Sequence, residues 1–322
     1  MDDFGIIIAC CDQDYHYAKG CCASIRYFLG DVPICLIIDG EFLAKDLQKA
    51  YGVQVINHLN VKHQVLRERS FGWGLTKMVA FWESPWSNFL FLDADTIVWG
   101  NILKYANFQD FDVIVDRPLY KDSFEEFSRF FFKPQEIEKY FPDFQWQKHF
   151  GQYFCTGGFF AKRDIFSLDD YIYMLDFVEQ NPDVFWRGEQ GFLNLMIFRD
   201  SDAGKIRLGQ SSWQVIVPKF RSDELQKRFP IDKNNPVIQA DEACVIHWAG
   251  PKPTLYNSHV YSEPMNFCRR KFMQEVKGLT GLPAEALLKL EDLERKLNIY
   301  QKKLVRKVRK LMKLSINTVV KY

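Results

Sequence analysis

The sequence predicts an α/β fold: a wound sheet flanked by helices. Three observations predict it. Short apolar runs of strand length alternate with segments of helical periodicity through the first hundred residues. One of those runs, Phe89-Leu90-Phe91-Leu92, ends in Asp93-Ala94-Asp95, and ligands of open α/β sheets gather at the carboxyl ends of strands. The 322 residues are 47% hydrophobic, enough to bury a sizeable core.

The elements follow in order. Gly5-Ile6-Ile7-Ile8-Ala9 reads as a buried parallel strand, followed by a helix from about Tyr17 to Leu29 and a second strand, Ile34 to Ile38, closed by Asp39-Gly40. A helix from about Ala44 to Tyr51 precedes Val53-Gln54-Val55-Ile56, and a helix from Leu75 to Glu83 leads into the strand that ends at Asp93. No GxGxxG follows the first strand and no Gly-x4-Gly-Lys loop is present, so phosphates must be held in another way. After a strand at Asp112–Asp116 comes an aromatic stretch, Phe124 to Phe154, read as an inserted subdomain or lid. Its rings serve either as filler over the sheet or as an acceptor-binding surface. The apolar strand resumes from Gly157 to Lys162, and a helix from Asp169 to Gln180 ends before Pro182.

Composition excludes several classes. Lys plus Arg (42) balances Asp plus Glu (41), which argues against nucleic acid as a partner. The 8 Cys show no closed zinc spacing, so reduced, structural thiols are expected. Met1-Asp2-Asp3-Phe4 opens no basic leader and no run of about 18 apolar residues occurs, from which a cytoplasmic protein is expected.

Alternation places Asp93 and Asp95 on one face of extended chain, where both reach one hard cation. The bland reading is a turn with Asx hydrogen bonding. His247, Lys252, Lys77 and Asp116 each have ordinary readings too: a satisfied strand-end histidine, two solvated lysines and a strand-end turn. Five separated stretches change the balance: Tyr17-Ala18-Lys19-Gly20; Leu75-Thr76-Lys77; Phe91-Leu92-Asp93-Ala94-Asp95-Thr96 with Asn101-Ile102; Gly188-Glu189-Gln190-Gly191-Phe192-Leu193-Asn194, preceded by Trp186-Arg187; and His247-Trp248-Ala249-Gly250-Pro251-Lys252-Pro253.

In this order, over about residues 4 to 256, they resemble the GT-A glycosyltransferases of family 8, the retaining group that includes glycogenin and lipooligosaccharide galactosyltransferases. The resemblance implies a Rossmann-like mixed sheet, residues 1–265 as the catalytic domain with an insertion at about 120–152, and transfer of a hexose from UDP-glucose or UDP-galactose to a glycan or lipid-linked acceptor. It assigns Asp93, Asp95 and His247 to a divalent metal. The set O, O, N suits manganese, with magnesium open. A cation there stabilises the charge growing on a diphosphate leaving group, and Lys252 adds a point charge. It assigns Tyr17 to the nucleotide base, Lys77 to the donor's sugar and phosphate region, Lys252 to the diphosphate, Asp116 to the sugar hydroxyls, Ala9, Asp14, Ala94, Gly158 and Gly250 to donor binding, and Glu189 and Gln190 to catalysis around the sugar ring. Two departures stand out: Glu189 occupies a position usually held by Asp, and Thr156-Gly157-Gly158 replaces Asn-Ser-Gly. Inverting transfer with Glu189 as base, and a non-catalytic glycan-binding protein of the same fold, remain alternatives.

Residues 266–322 read as a helical basic tail. Leu290, Leu293, Leu297, Tyr300, Leu304 and Leu311 recur at spacings of three and four, and Arg295 to Lys313 holds nine basic residues and no acidic one. Such a helix suits an anionic inner-membrane face, or self-association with a partner helix.

Overall fold

The computed structural model describes residues 3–319 except 73, 186, 187, 234 and 240, and no side chain at 306 or beyond 307. Trp186 and Arg187, and the side chains of Arg306, Arg309, Lys310, Leu311 and Lys313 in the basic tail, lie outside the described residues.

The chain opens β1 (Phe4–Cys11), α1 (Tyr15–Leu29), β2 (Ile34–Asp39), α2 (Lys45–Tyr51), β3 (Gln54–Asn57), α3 (Gln64–Arg69), α4 (Ala80–Glu83) and β4 (Asn88–Asp93). Two short strands follow, β5 (Thr96–Trp99) and β6 (Val113–Asp116), then α5 (Phe124–Phe130) and α6 (Pro134–Tyr140). Next come β7 (Gly158–Lys162), α7 (Leu168–Gln180), α8 (Glu189–Asp202), β8 (Leu208–Ser211) and β9 (Gln214–Ile216). The last part holds α9 (Ser222–Arg228), the two-residue pair β10 (Ile231–Asp232) and β11 (Asn235–Pro236), β12 (Cys244–His247), α10 (Glu263–Lys277) and α11 (Gly281–Val319).

Seven strands form one mixed sheet in the order β3-β2-β1-β4-β7-β6-β8. β1, β2, β3 and β4 run parallel to one another, while β7 is antiparallel to both β4 and β6. The winding goes outward from β1 through β2 to β3, then returns to the other side of β1 with β4. That reversal leaves a crevice at the carboxyl ends of β1 and β4. β4 is covered on both faces, which is why its run is continuously apolar: Leu90 and Leu92 enter one core, Phe89 and Phe91 the other. In the second core Phe91 stacks on Phe159 at 4.9 Å between centroids.

A second sheet, β5-β12-β9, was not anticipated from the sequence. Its strands are only three or four residues long, and what pairs them is register rather than local pattern. The antiparallel β5–β12 ladder sets Thr96 opposite His247, and Trp248 N–H donates to the Asp95 carbonyl at 3.1 Å. The helix expected at Leu75–Glu83 is divided: Leu75–Val79 is a 3₁₀ turn and only Ala80–Glu83 is α-helical. Gly74, at φ +84°, makes the left-handed entry that a side-chain-bearing residue adopts only with strain.

The aromatic stretch packs ring against ring. Phe127 meets Trp146 at 5.3 Å, Phe132 at 5.1 Å and Tyr153 at 4.9 Å. A capping box between Ser123 and Glu126 starts α5. All eight cysteines are free thiols.

Position 265/266, the expected start of the tail, falls inside α10, which lies along α1 with Met265, Cys268 and Phe272 in the first core. Gly20 permits the approach, since a side chain there would meet Met265. α11 then crosses back over the amino-terminal region. Asp292 pairs with Arg269 at 2.9 Å, both side chains only 1% exposed, and it accepts Leu255 N–H at 2.8 Å. Arg295 reaches Asp14 and Lys302 reaches Asp12. Leu290, Leu293, Leu297, Tyr300 and Leu304 are exposed. No helix among the described residues is long and apolar enough to cross a membrane.

Candidate active site

The crevice over β1 and β4 is a cleft of about 360 Å³. Its floor follows from sheet register. β1 sets Ala9 beside Asp93, and Asp93 N–H donates to the Gly157 carbonyl at 2.9 Å. The turn after β4 carries Ala94 and Asp95 into the cleft, and β12 delivers His247 beside them. One ligand atom each from Asp93, Asp95 and His247 lies within 4.8 Å of the others, the metal-capable group found among the described residues. His247 Nε2 is 3.5 Å from Asp95 Oδ1 and 3.9 Å from Asp93 Oδ2. Two carboxylate oxygens and an imidazole nitrogen converging on one point fit a borderline-hard divalent cation.

Two lysines balance the carboxylates. Lys77, 4% exposed, puts Nζ 3.2 Å from Asp93 Oδ1 and 2.9 Å from Glu189 Oε1, and donates to the Thr156 carbonyl at 3.1 Å and hydroxyl at 3.2 Å. Lys252 bonds Asp95 from the opposite rim. Burial pushes Asp93 up despite Lys77 and His247. Burial acts on Asp95 in the same sense, but Lys252 and His247 outweigh it and hold that carboxyl well below the usual range. Two carboxylates one residue apart are thus driven in opposite directions, a frequent mark of functional sites. Burial would lower His247, yet Cys155 and Asp95 carry it up to about 10.

Most of the expected residues meet here. Ala9, Asp14, Lys77, Asp93, Ala94, Asp95, Glu189, Gln190, His247, Gly250 and Lys252 all line the cleft. Gly250, at φ +103°, gives the rim loop a backbone suited to glycine. Gln190 donates to the Phe130 carbonyl at 3.2 Å and, with Glu189, also borders a neighbouring chamber of about 530 Å³ beneath the insertion.

Three residues stand elsewhere. Tyr17 is fully buried behind α1, its ring under Arg269 and Arg295, because α10 and α11 cover that helix face. Asp116 turns away from the cleft: Oδ1 accepts Trp213 N–H at 2.9 Å and Gln214 N–H at 2.8 Å, fastening β6 to β9, and burial pushes it up to about 6. Gly158 lies within β7 against Trp213; the residue on the cleft is Gly157. A side chain at Gly157 would strike the His247 ring, so glycine there admits the imidazole. Thr156, singled out in the sequence with Gly157, stands on the cleft wall; Cys155 beside it and Gln214 behind His247 carry no signal in the sequence. Only the pairing of distant strands brings them in.

A wound sheet whose fourth strand ends in Asp-x-Asp, with a second sheet bringing His247 to that motif, places the chain in the GT-A glycosyltransferase fold. Solved structures agree. The galactosyltransferase LgtC, in complex with donor and acceptor sugar analogs, superposes at a TM-score of 0.52 and 16% identity, over 88% of this chain and 99% of that one. GlyE of Streptococcus pneumoniae matches at 0.54 and 11%, over 85% of this chain and 63% of that one. The bifunctional glycosyltransferase WbbM matches at 0.55 and 13%, over 86% of this chain and about half (51%) of its own length. No protein-family model matches the sequence, and a search of curated proteins finds no relative.

Proposed function

We propose that the chain is a metal-dependent glycosyltransferase that moves a hexose from a UDP-sugar, UDP-glucose or UDP-galactose, to a glycan or lipid-linked acceptor with retention of configuration. The observation that carries this reading is the convergence of Asp93, Asp95 and His247 between two buried-stem lysines at the carboxyl end of β4. Manganese fits the donor set, with magnesium as the second choice. A cation held there supplies Lewis-acid stabilisation of the departing diphosphate.

The chain's own residues do the rest. Lys252, on the cleft rim beside Asp95, would supply a point charge for the diphosphate. Lys77 stays bracketed by Glu189 and Thr156, so its charge is fixed without help from a ligand. Gln190 stands where the donor cleft meets the second chamber, which suits a group that addresses both sugars. In front-side transfer the bond from the anomeric carbon to the phosphate oxygen breaks as the acceptor oxygen bonds that carbon, and the acceptor's proton passes to the departing phosphate. An inverting role for Glu189 as base is disfavoured by its position: its carboxylate is already committed to Lys77 and to the Thr156 hydroxyl.

For the tail, the exposed leucines of α11 and the basic run beside them support a peripheral contact with an anionic membrane surface, with pairing of two such helices as the other arrangement. Flotation with phosphatidylserine vesicles, against neutral vesicles, separates the two.

A panel of UDP-sugars scored for hydrolysis with manganese tests the main reading and needs no acceptor. Turnover of one donor, abolished by chelator and by Asp95→Asn, is expected. Absence of turnover across the panel, or turnover indifferent to both treatments, sinks it. Product analysis by NMR showing an inverted anomer overturns retention alone.

A further inference from the structure

Behind His247, away from the cleft, stands Gln214, whose residue is 3% exposed. β9 pairs in parallel with β12, Gln214 opposite Val245, so its side chain shares a sheet face with Val245 and His247. Gln214 Nε2 donates to the Cys155 carbonyl at 3.0 Å, and Oε1 lies 2.9 Å from His247 Nδ1.

The direction of this relay is decided by its far end. A carbonyl oxygen only accepts, so the amide nitrogen of Gln214 must face Cys155; a flipped amide would set two oxygens against each other. The amide oxygen then faces His247 and can itself only accept. Nδ1 must therefore carry a hydrogen, and the nitrogen left for a ligand is Nε2, the one directed at Asp93 and Asp95. Asp116 holds the relay from behind by accepting the Gln214 backbone N–H. The Cys155 thiol, 3.6 Å from Nδ1, is the longer and weaker alternative partner.

We propose that Gln214 is a positioning residue for the cation site: it fixes the proton of His247 on Nδ1 and the plane of the ring, so that Nε2 meets the ion together with Asp93 and Asp95. The proposal rests on the reading of those three residues as a cation site. Partners of this kind orient metal-bound histidines, and their loss weakens metal affinity by about 10- to 100-fold.

The test is a manganese titration of the full-length chain followed by the electron paramagnetic resonance of free Mn²⁺, with no nucleotide present. Gln214→Leu, which removes the acceptor, is expected to bind at least tenfold more weakly than the unsubstituted chain. Gln214→Glu, which restores an acceptor, is expected to recover part of that loss. Equal affinity of the Leu variant and the unsubstituted chain overturns the proposal while leaving the cation site standing; no binding by the unsubstituted chain removes the site itself, and the proposal with it. A second measurement needs no substitution at Gln214. In the ¹⁵N-histidine spectrum of the zinc-loaded protein, with the His247 signal identified by its loss in His247→Asn, a proton on Nδ1 and a metal-shifted Nε2 are expected. The reverse assignment overturns the proposal.

Discussion

The Thr156 hydroxyl donates to Glu189 Oε1 at 3.0 Å, so the two places where this chain departs from the family pattern touch each other. Both also grip Lys77. The extra methylene of Glu189, compared with Asp, lets the carboxylate span from the start of α8 to Lys77. Gly74 makes room, because a side chain there would meet the Glu189 carboxylate. Glu189→Asp is therefore expected to lower kcat/KM for the UDP-sugar at least tenfold. Combined with Thr156→Val it should show a coupling energy of about 0.5–3 kcal/mol in a double-mutant cycle. Additive losses would mean that the two side chains act separately.

Gly157→Ala puts a methyl group into the His247 ring. Overpacking of this kind costs about 1–3 kcal/mol, and here the neighbour that must yield belongs to the proposed cation site. Manganese affinity is expected to fall more sharply than thermal stability. An alanine variant that binds manganese normally would show that the ring has another place to go.

Asp116 gives a pH dependence with a definite sign. Burial raises it from 3.8 to about 6, so the folded chain holds this proton more tightly than the unfolded chain between those values. The ionised form is the disfavoured one, and stability from this group declines as pH rises from about 4 to 6. Asp116→Asn cannot ionise and can still accept both backbone N–H groups. Relative to the unsubstituted chain it should gain up to about 3 kcal/mol between pH 4 and pH 7. Urea unfolding of both proteins at the two pH values checks this; a difference that does not change with pH contradicts it.

Arg269 and Asp292 form an ion pair with both partners inside the protein. Arg269→Ala leaves a carboxylate buried without its charge partner and is expected to cost about 3–5 kcal/mol in urea unfolding. Arg221→Ala, at the exposed pair with Asp223, should cost no more than about 1 kcal/mol. Similar losses at the two sites would refute this account of how α10 and α11 are joined.

Much of this is legible in the sequence alone. The buried runs of β1, β2 and β4, the periodicity of α7 and α11, and the placing of Asp93 and Asp95 at a strand end all rest on local pattern, and all appear. What local pattern does not carry is pairing between distant short segments. Three-residue β9 gives no readable signal, yet its position beside β12 brings Gln214 to His247 and explains why Asp116 faces backbone rather than the cleft. Tyr17 lies away from the cleft for the related reason that α10 and α11 cover α1, which depends on the far end of the chain. The shift from Gly158 to Gly157 is a matter of one residue at a strand start, where alternation decides which glycine faces the cleft.

The 39 residues of α11 make a rod of about 58 Å, at about 1.5 Å per residue. Its first half is riveted to the cleft from two sides: Asp292 holds the loop that follows Lys252, and Arg295 holds Asp14 on the cleft rim. The rod is thus a handle fixed to the mouth of the cleft. Whatever grips its outer end also sets the angle at which that mouth is presented, and a truncation made at 266 to trim the handle would also remove most of α10 and the Asp292 and Arg295 contacts beside the cleft.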